Sequence, residues 1–268
     1  MSSYLVTGAS RGLGFEFVRY LSQDPNNTVI GLVRNKAAAD AKAKSKGVNV
    51  HMVEAQYTDL SSLKKAADVV KDITGGSLDY LINNAGIVSH ISEFKTLGDF
   101  DDDFDTLEKD ILESLNVNLL GFIKTVQAFL PLIREGKSKK VIAISTGMAD
   151  IDLINASQVA FASPYSISKG AANVAIAKYN ALYNQEDILF LAISPGYVST
   201  ERNQETNPDD AEKVQALVSK FAEYAPHFTR PLTPEESVSA VLSVINKASV
   251  SNGDGGAFIS HLGTKQWL

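Results

Sequence analysis

The sequence contains no cysteine. Disulfides, thiolate nucleophiles and cysteine-based metal sites are therefore excluded from the start. Histidine is nearly as scarce. His51, His90, His227 and His261 are scattered without ligand spacing, and each is expected as a surface or loop residue, with no metal site. No stretch of about 18 uncharged apolar residues occurs, so no membrane span is expected. The opening Met-Ser-Ser-Tyr-Leu-Val-Thr-Gly has no basic region followed by an apolar run, and it reads as a strand, not a signal peptide. A cytoplasmic protein is the expectation. Positive charge is also lacking: the net charge is −6 and no lysine or arginine stripe is present, so nucleic acid is not an expected partner.

What is present is an ordinary globular balance, 44% hydrophobic and 21% charged over 268 residues. Length alone allows one large α/β domain or two small ones. Short apolar runs at 4–7, 28–33, 48–53, 78–82, 141–145, 188–193 and 257–260 predict strands, mostly without alternation, as when both faces are covered. Helical patterns lie between them, near 12–22, 36–46, 60–73, 106–134, 165–184 and 234–247. This order predicts an α/β fold: a doubly wound, parallel, seven-stranded Rossmann sheet with helices on both faces. No linker or repeat interrupts it, so residues 1–268 are expected as a single domain.

Thr233-Pro-Glu-Glu236 has the form of a capping box at a helix start. Pro131 should kink the long 106–134 helix or end its regular part. Two segments fit no regular pattern. One, 93–105, is acidic with interspersed phenylalanines; the other, 199–231, is expected as a substrate lid.

The first strand runs into Thr7-Gly8-Ala9-Ser10-Arg11-Gly12-Leu13-Gly14, and a helix follows at once. Glycines here permit a tight turn and close backbone approach to a pyrophosphate, which then meets the helix N-terminus. The alternative is a purely structural strand–helix turn. An NAD site usually carries a carboxylate at the end of the second strand, but here that strand ends in Val33-Arg34-Asn35. Arg34 and Arg11 together suit a 2′-phosphate, so NADPH is the expected cofactor. Tyr165-Ser-Ile-Ser-Lys169 opens a later helix, with tyrosine and lysine one turn apart on one face. A free tyrosine, with a pKa of about 10, is a poor acid near neutrality. A fixed cation beside it favours the phenolate and lowers that value. Alone the pair is ordinary surface decoration; with the glycine turn it points to acid–base chemistry.

With these residues in order, the chain resembles the short-chain dehydrogenase/reductase family over essentially its whole length. The marks are the turn at 7–14, Asn83-Asn84-Ala85-Gly86, Asn118 in Asn116-Val-Asn-Leu-Leu-Gly121, a hydroxyl after the fifth strand, Tyr165/Lys169 and Pro195-Gly196-Tyr197-Val198-Ser199-Thr200. The resemblance implies an NADPH-dependent oxidoreductase that reduces a ketone or aldehyde. Tyr165 would exchange the proton with the substrate oxygen, while Lys169 would lower its pKa and hold the nicotinamide ribose. Asn118 would position a relay water through its main chain. Gly8, Ser10, Arg11, Gly12, Leu13, Gly14 and Arg34 would hold the nucleotide end, joined by Asn84, Ala85 and Gly86. Val198 and Thr200 would bond the carboxamide, with Pro195 and Gly196 beside them in the cofactor site.

Three departures from the family pattern stand out. The usual serine pair is Ser145-Thr146, with Thr146 in the catalytic place and Ser145 the fallback. An adenine-facing aspartate is replaced by Gln56, beside Tyr57. The segments between Asn84 and Asn118 and between Thr146 and Tyr165 are longer than the family norm. Within the family, the chain is most similar to carbonyl reductases related to sniffer and bacterial C-factor, and to fungal norsolorinic acid ketoreductase. Phe221, Tyr224 and Phe228 point to an apolar or aromatic carbonyl substrate, although a packed lid core accounts for them equally well. The helices at 106–134 and 165–184 are candidates for pairing in a homodimer or tetramer. A cofactor-sensing, non-redox regulator is the competing reading, and the intact Tyr165/Lys169 pair speaks against it.

Overall fold

Seven short runs rich in β-branched and leucine residues form one sheet: β1 (Ser3–Thr7), β2 (Thr28–Val33), β3 (His51–Glu54), β4 (Tyr80–Asn83), β5 (Lys140–Ile144), β6 (Leu189–Ser194) and β7 (Phe258–Ser260). The computed structural model describes residues 2–200 and 211–268. Neighbouring strands all pair in parallel, in the order β3-β2-β1-β4-β5-β6-β7. This is the expected doubly wound sheet of a single α/β domain. Its order reverses between β1 and β4, and the carboxyl ends of strands flanking such a reversal form the crevice in which ligands bind.

Both sheet faces are buried, which is why the strands lack polar alternation. Tyr4 and Val6 of β1 join one core with Phe17 and Val18 of α1 (Gly12–Leu21) and Val241 and Ile245 of α9 (Pro234–Lys247). Leu5, between them in sequence, points to the other face. There it joins Leu63 of α3 (Leu60–Thr74), Phe122 and Phe129 of α5 (Gly121–Arg134) and Ile176 of α7 (Ser163–Tyr183). The remaining helices are α2 (Lys36–Ser45), α4 (Phe104–Leu115), α6 (Ile151–Ser157) and α8 (Ala211–Tyr224).

Four expectations need correction. The long helix does not end at Pro131 but continues to Arg134, and a π-helical turn at Asn116–Leu120 separates α4 from α5. By length and composition Phe104–Arg134 could cross a membrane, yet more than half of its most apolar window is buried inside the protein. Segment 93–105 is not wholly irregular. Asp99 closes a capping box on the 3-10 turn Leu97–Phe100, and Asp103 accepts from the Thr106 N–H at the start of α4. Two of its acids, Asp99 and Asp103, thus serve helix starts. Helix α6 was not legible in the pattern; the Asp150 side chain caps it by accepting from the Leu153 N–H. Lastly, His261 takes a loop position, just after β7, but not a surface one. It is buried, and burial lowers its pKa.

The expected lid begins before the described stretch resumes. Residues 201–210 of it lie outside the described residues. Its remainder holds α8, which packs against α6. The box at Thr233 forms as expected: Thr233 Oγ1 accepts from the Glu236 N–H, and the Glu236 carboxylate accepts from the Thr233 N–H.

Candidate active site

A cleft of about 440 Å³ opens at the carboxyl ends of β1, β2 and β4. The glycine turn forms one wall, contributing Gly8, Ser10, Arg11, Gly12 and Leu13. Arg34 just after β2 and Gln56 and Tyr57 after β3 form a second. Asn84, Ala85 and Gly86 after β4, together with Thr200, complete it. Most of the sequence-selected nucleotide residues therefore meet in one place. Glu113 and Val117, one helical turn apart across the α4–π junction, also line it and were not selected, because no motif marks them.

The glycines serve different ends. A Cβ on Gly14 would lie 2.2 Å from the Gly8 carbonyl oxygen and 2.5 Å from Asn84 Nδ2, so Gly14 is demanded by packing and does not line the cleft. Gly8 has φ +68° and would meet Ala85 at 2.9 Å. Gly12 has φ +55°, and a Cβ there would meet nothing within 4 Å. Its side faces open space. The turn is locked to the neighbouring strand end by Asn84 Nδ2, which donates to the Thr7 carbonyl (3.1 Å), and by Thr7 Oγ1, which accepts from the Ala85 N–H (2.9 Å). Arg11 at the start of α1 makes no side-chain cap, and neither guanidinium, Arg11 or Arg34, has a partner among the described residues. Two exposed cations thus stand on the cleft rim.

Beyond Gly86 the construction changes from backbone to side chains. Asn118, buried in the π turn, accepts from the Ile87 N–H at 2.9 Å and donates back to the Ile87 carbonyl at 3.0 Å. Its Nδ2 also donates to Ser168 Oγ (2.9 Å), which in turn donates to the Tyr165 carbonyl (2.7 Å). The first turn of α7 is therefore pinned to the π turn. Its entry is held from the other side, where the Ala162 N–H donates to the Ser92 and Lys95 carbonyls. Lys169 is buried and donates to the Ile144 carbonyl at 2.7 Å, with its ammonium 5.9 Å from the centre of the Tyr165 ring. Burial lowers its pKa to about 8. A Cβ on Gly86 would lie 3.3 Å from that ammonium and 2.9 Å from Asn118 Oδ1. Gly86 is thereby the contact between the cleft and the Tyr165/Lys169 helix.

The two hydroxyls after β5 part company. Ser145 is buried and donates to Asn173 Oδ1 at 2.8 Å. Thr146 lines a second, small cavity of about 60 Å³ beside Gly147, Gly196 and Tyr197. Its Oγ1 accepts from the Met148 N–H at 3.2 Å, and its hydroxyl proton remains to be donated elsewhere. Pro195 and Val198 stand behind these walls: the Pro195 carbonyl accepts from Ser237 Oγ, and Val198 is buried in a bridge to Leu232. Asn173 and Ser168 were not selected from sequence. Their signal was present, since they lie on the Tyr165/Lys169 face of α7 at helical spacing.

A family model described as short chain dehydrogenase matches residues 3–211. The chain belongs to that family of oxidoreductases. It is 50% identical over 272 residues, covering all of both chains, to the short-chain dehydrogenase/reductase AacuF of Aspergillus aculeatus. Among solved structures it matches NADPH-bound carbonyl reductase from chicken fatty liver, with a TM-score of 0.77 and 28% identity over 98% of each chain. The carbonyl reductase Sniffer of D. melanogaster shares the fold, with a TM-score of 0.75 at 22% identity over 98% of each chain.

Proposed function

We propose that the protein is an NADPH-dependent reductase of ketones or aldehydes, with Tyr165 as the proton donor. The observation that carries this reading is the buried Lys169 beside Tyr165 at the end of a cleft whose far rim holds two arginines without partners among the described residues. A dinucleotide phosphate fits that cleft. The open side of Gly12 leaves room for a pyrophosphate, the first turn of α1 has no side-chain cap competing for its N–H groups, and Arg11 and Arg34 suit a 2′-phosphate. Gln56 and Tyr57 would border the adenine, while Gly8, Ser10, Leu13, Ala85 and Asn84 would border the phosphates and adjacent ribose. Thr200 and the Pro195–Val198 turn would face the carboxamide end. The cofactor, when bound, supplies the reducing equivalent.

The chain's own residues supply the rest. Thr146 donates to the substrate oxygen as negative charge develops there. Tyr165 delivers the proton to that oxygen, and the charged Lys169 makes the phenol acidic enough to do so. The Asn118 side chain is committed to Ile87 and Ser168, which leaves its main chain as the part that would hold a relay water. Helix α8 and the segment after it serve as the substrate lid. The apolar side chains exposed on α4–α5 (Leu112, Leu120) and α7 (Ile167, Val174, Leu182) support pairing of two copies through these helices.

The test is a panel of ketones and aldehydes assayed with NADPH and NADH, alongside Tyr165→Phe. Turnover with NADPH is expected, and the variant should lose about a hundredfold or more while still binding NADPH. Tight NADPH binding without turnover of any carbonyl would favour the regulator reading.

A further inference from the structure

The chain has one tryptophan, and it is buried at the chemical end. Trp267 stacks on Phe258 with ring centres 4.5 Å apart. A Cβ on Gly147, the residue after Thr146, would lie 2.8 Å from the Trp267 Cβ, so Gly147 is kept bare to admit the tryptophan. Trp267 and Leu268 line the same small cavity as Thr146, facing Tyr197 and, from α8, Leu217 and Phe221. Apart from Thr146, the Tyr197 hydroxyl and Ser194, whose Oγ is engaged by the Gly147 N–H at 2.9 Å, the side chains of these walls are apolar. Contacts on both sides of the cavity hold residues 265–268 in place. Lys265 lies 3.6 Å from the Asp150 carboxylate at the start of α6, and His227 Nε2 is hydrogen-bonded to the Leu268 carbonyl at 2.9 Å, just beyond α8. Packing alone would explain a buried Trp267. It does not explain a cavity left open between Leu268, Phe221 and Thr146, which lines it while Ser145 does not.

We propose that Trp267 and Leu268 are specificity-determining residues, forming with Tyr197, Leu217 and Phe221 an apolar subsite for the hydrocarbon arm of a ketone whose oxygen meets Thr146. The assignment rests on the reading of Thr146 and Tyr165 given above. Because the cavity measures about 60 Å³ with α8 in this position, arm length is what the subsite discriminates.

Trp267 is its own reporter. The probes are 2-alkanones from acetone to 2-nonanone, titrated into cofactor-free and NADP⁺-loaded protein while Trp267 fluorescence is followed, and assayed for NADPH oxidation. Longer alkanones should change the fluorescence saturably and acetone should not. Leu268→Ala should raise kcat/KM for long relative to short alkanones by about tenfold, the scale of a methylene's fit in an apolar pocket, and Leu268→Phe should lower it. A chain-length profile unchanged in both variants, with fluorescence indifferent to arm length, overturns the subsite. Reduction of carbonyls with that outcome leaves the reductase standing without it. Saturable, length-dependent fluorescence with no carbonyl reduced leaves the subsite standing and removes the reductase.

Discussion

The two ends of this site are built by different means. The nucleotide end is shaped by main chain: a glycine turn, the start of α1 and strand ends enclose a wide cleft, and the side chains that matter most there, Arg11 and Arg34, are exposed and unpartnered among the described residues. The chemical end is shaped by buried side-chain hydrogen bonds. Asn118 is fastened to Ile87 and Ser168, Ser145 to Asn173, and Lys169 to Ile144, and the cavity that Thr146 lines is roughly one-seventh as large as the cleft. The first end must accept a large, highly charged molecule and gains its hold from that charge. The second must hold reacting groups in fixed directions, which buried and fully engaged side chains do better than loops.

If the arginines act on a 2′-phosphate, replacing both should cost the nucleotide end most of its discrimination and leave the chemical end intact. Each charge-assisted bond contributes about 1.5–3 kcal/mol. Arg11→Ala with Arg34→Ala should therefore weaken NADPH by roughly a hundredfold or more and NADH little, with the NADPH loss read as dissociation constants by titration. An unchanged ratio of the two constants would make both arginines ordinary surface charges.

The chemical end makes the opposite prediction, because there a single atom matters. Thr146→Val keeps the β-branched shape and deletes the hydroxyl, and should lower kcat by about 10²–10³. Ser145→Ala removes a buried bond to Asn173 and should show mainly as lost stability, about 1–3 kcal/mol from the unsatisfied amide oxygen, read by denaturant unfolding. If Ser145→Ala is instead the crippling change for turnover while Thr146→Val is mild, the roles are reversed.

How much of this was legible in sequence follows from the same contrast. Gly8, Gly12, Gly14, Arg11 and Arg34 lie in short local motifs, and a turn between a strand and a helix is a local event. The parallel sheet and its two covered faces followed from alternating strands and helices. The chemical end was legible only as far as its spacing was local, in Tyr165 and Lys169. The bond from Ser168 to Asn118 spans 50 residues and that from Ser145 to Asn173 spans 28. Nothing local announces such pairs. The π turn hid behind Pro131, a stronger local signal that the helix tolerates within its last turn. His261 and Trp267 are buried by chain segments far from them in sequence, so their positions could not be read from their neighbours.

The smallest effect concerns pH, and it falls on the chemical end alone. Lys169 has its pKa lowered from the ordinary lysine value to about 8 by burial, so its charge is present below that pH and lost above it. While charged it favours the Tyr165 phenolate and makes the phenol a better acid; once neutral it no longer does. Carbonyl reduction should therefore slow as pH rises through about 8, with a limiting slope of about tenfold per pH unit. Lys169→Arg keeps a cation that does not titrate in this range, and should remove that inflection whatever its absolute rate. The same shift has a thermodynamic sign that can be checked without turnover. Between about 8 and the ordinary lysine value the unfolded chain holds a proton that the folded protein has released, so this group makes folding more favourable as pH rises across that window. The stability of wild type relative to Lys169→Met should accordingly rise with pH from 8 to 10 in denaturant unfolding. An inflection that persists unaltered in Lys169→Arg, with no such relative gain, would assign the titration to another group and leave Lys169 as a fixed anchor for Ile144.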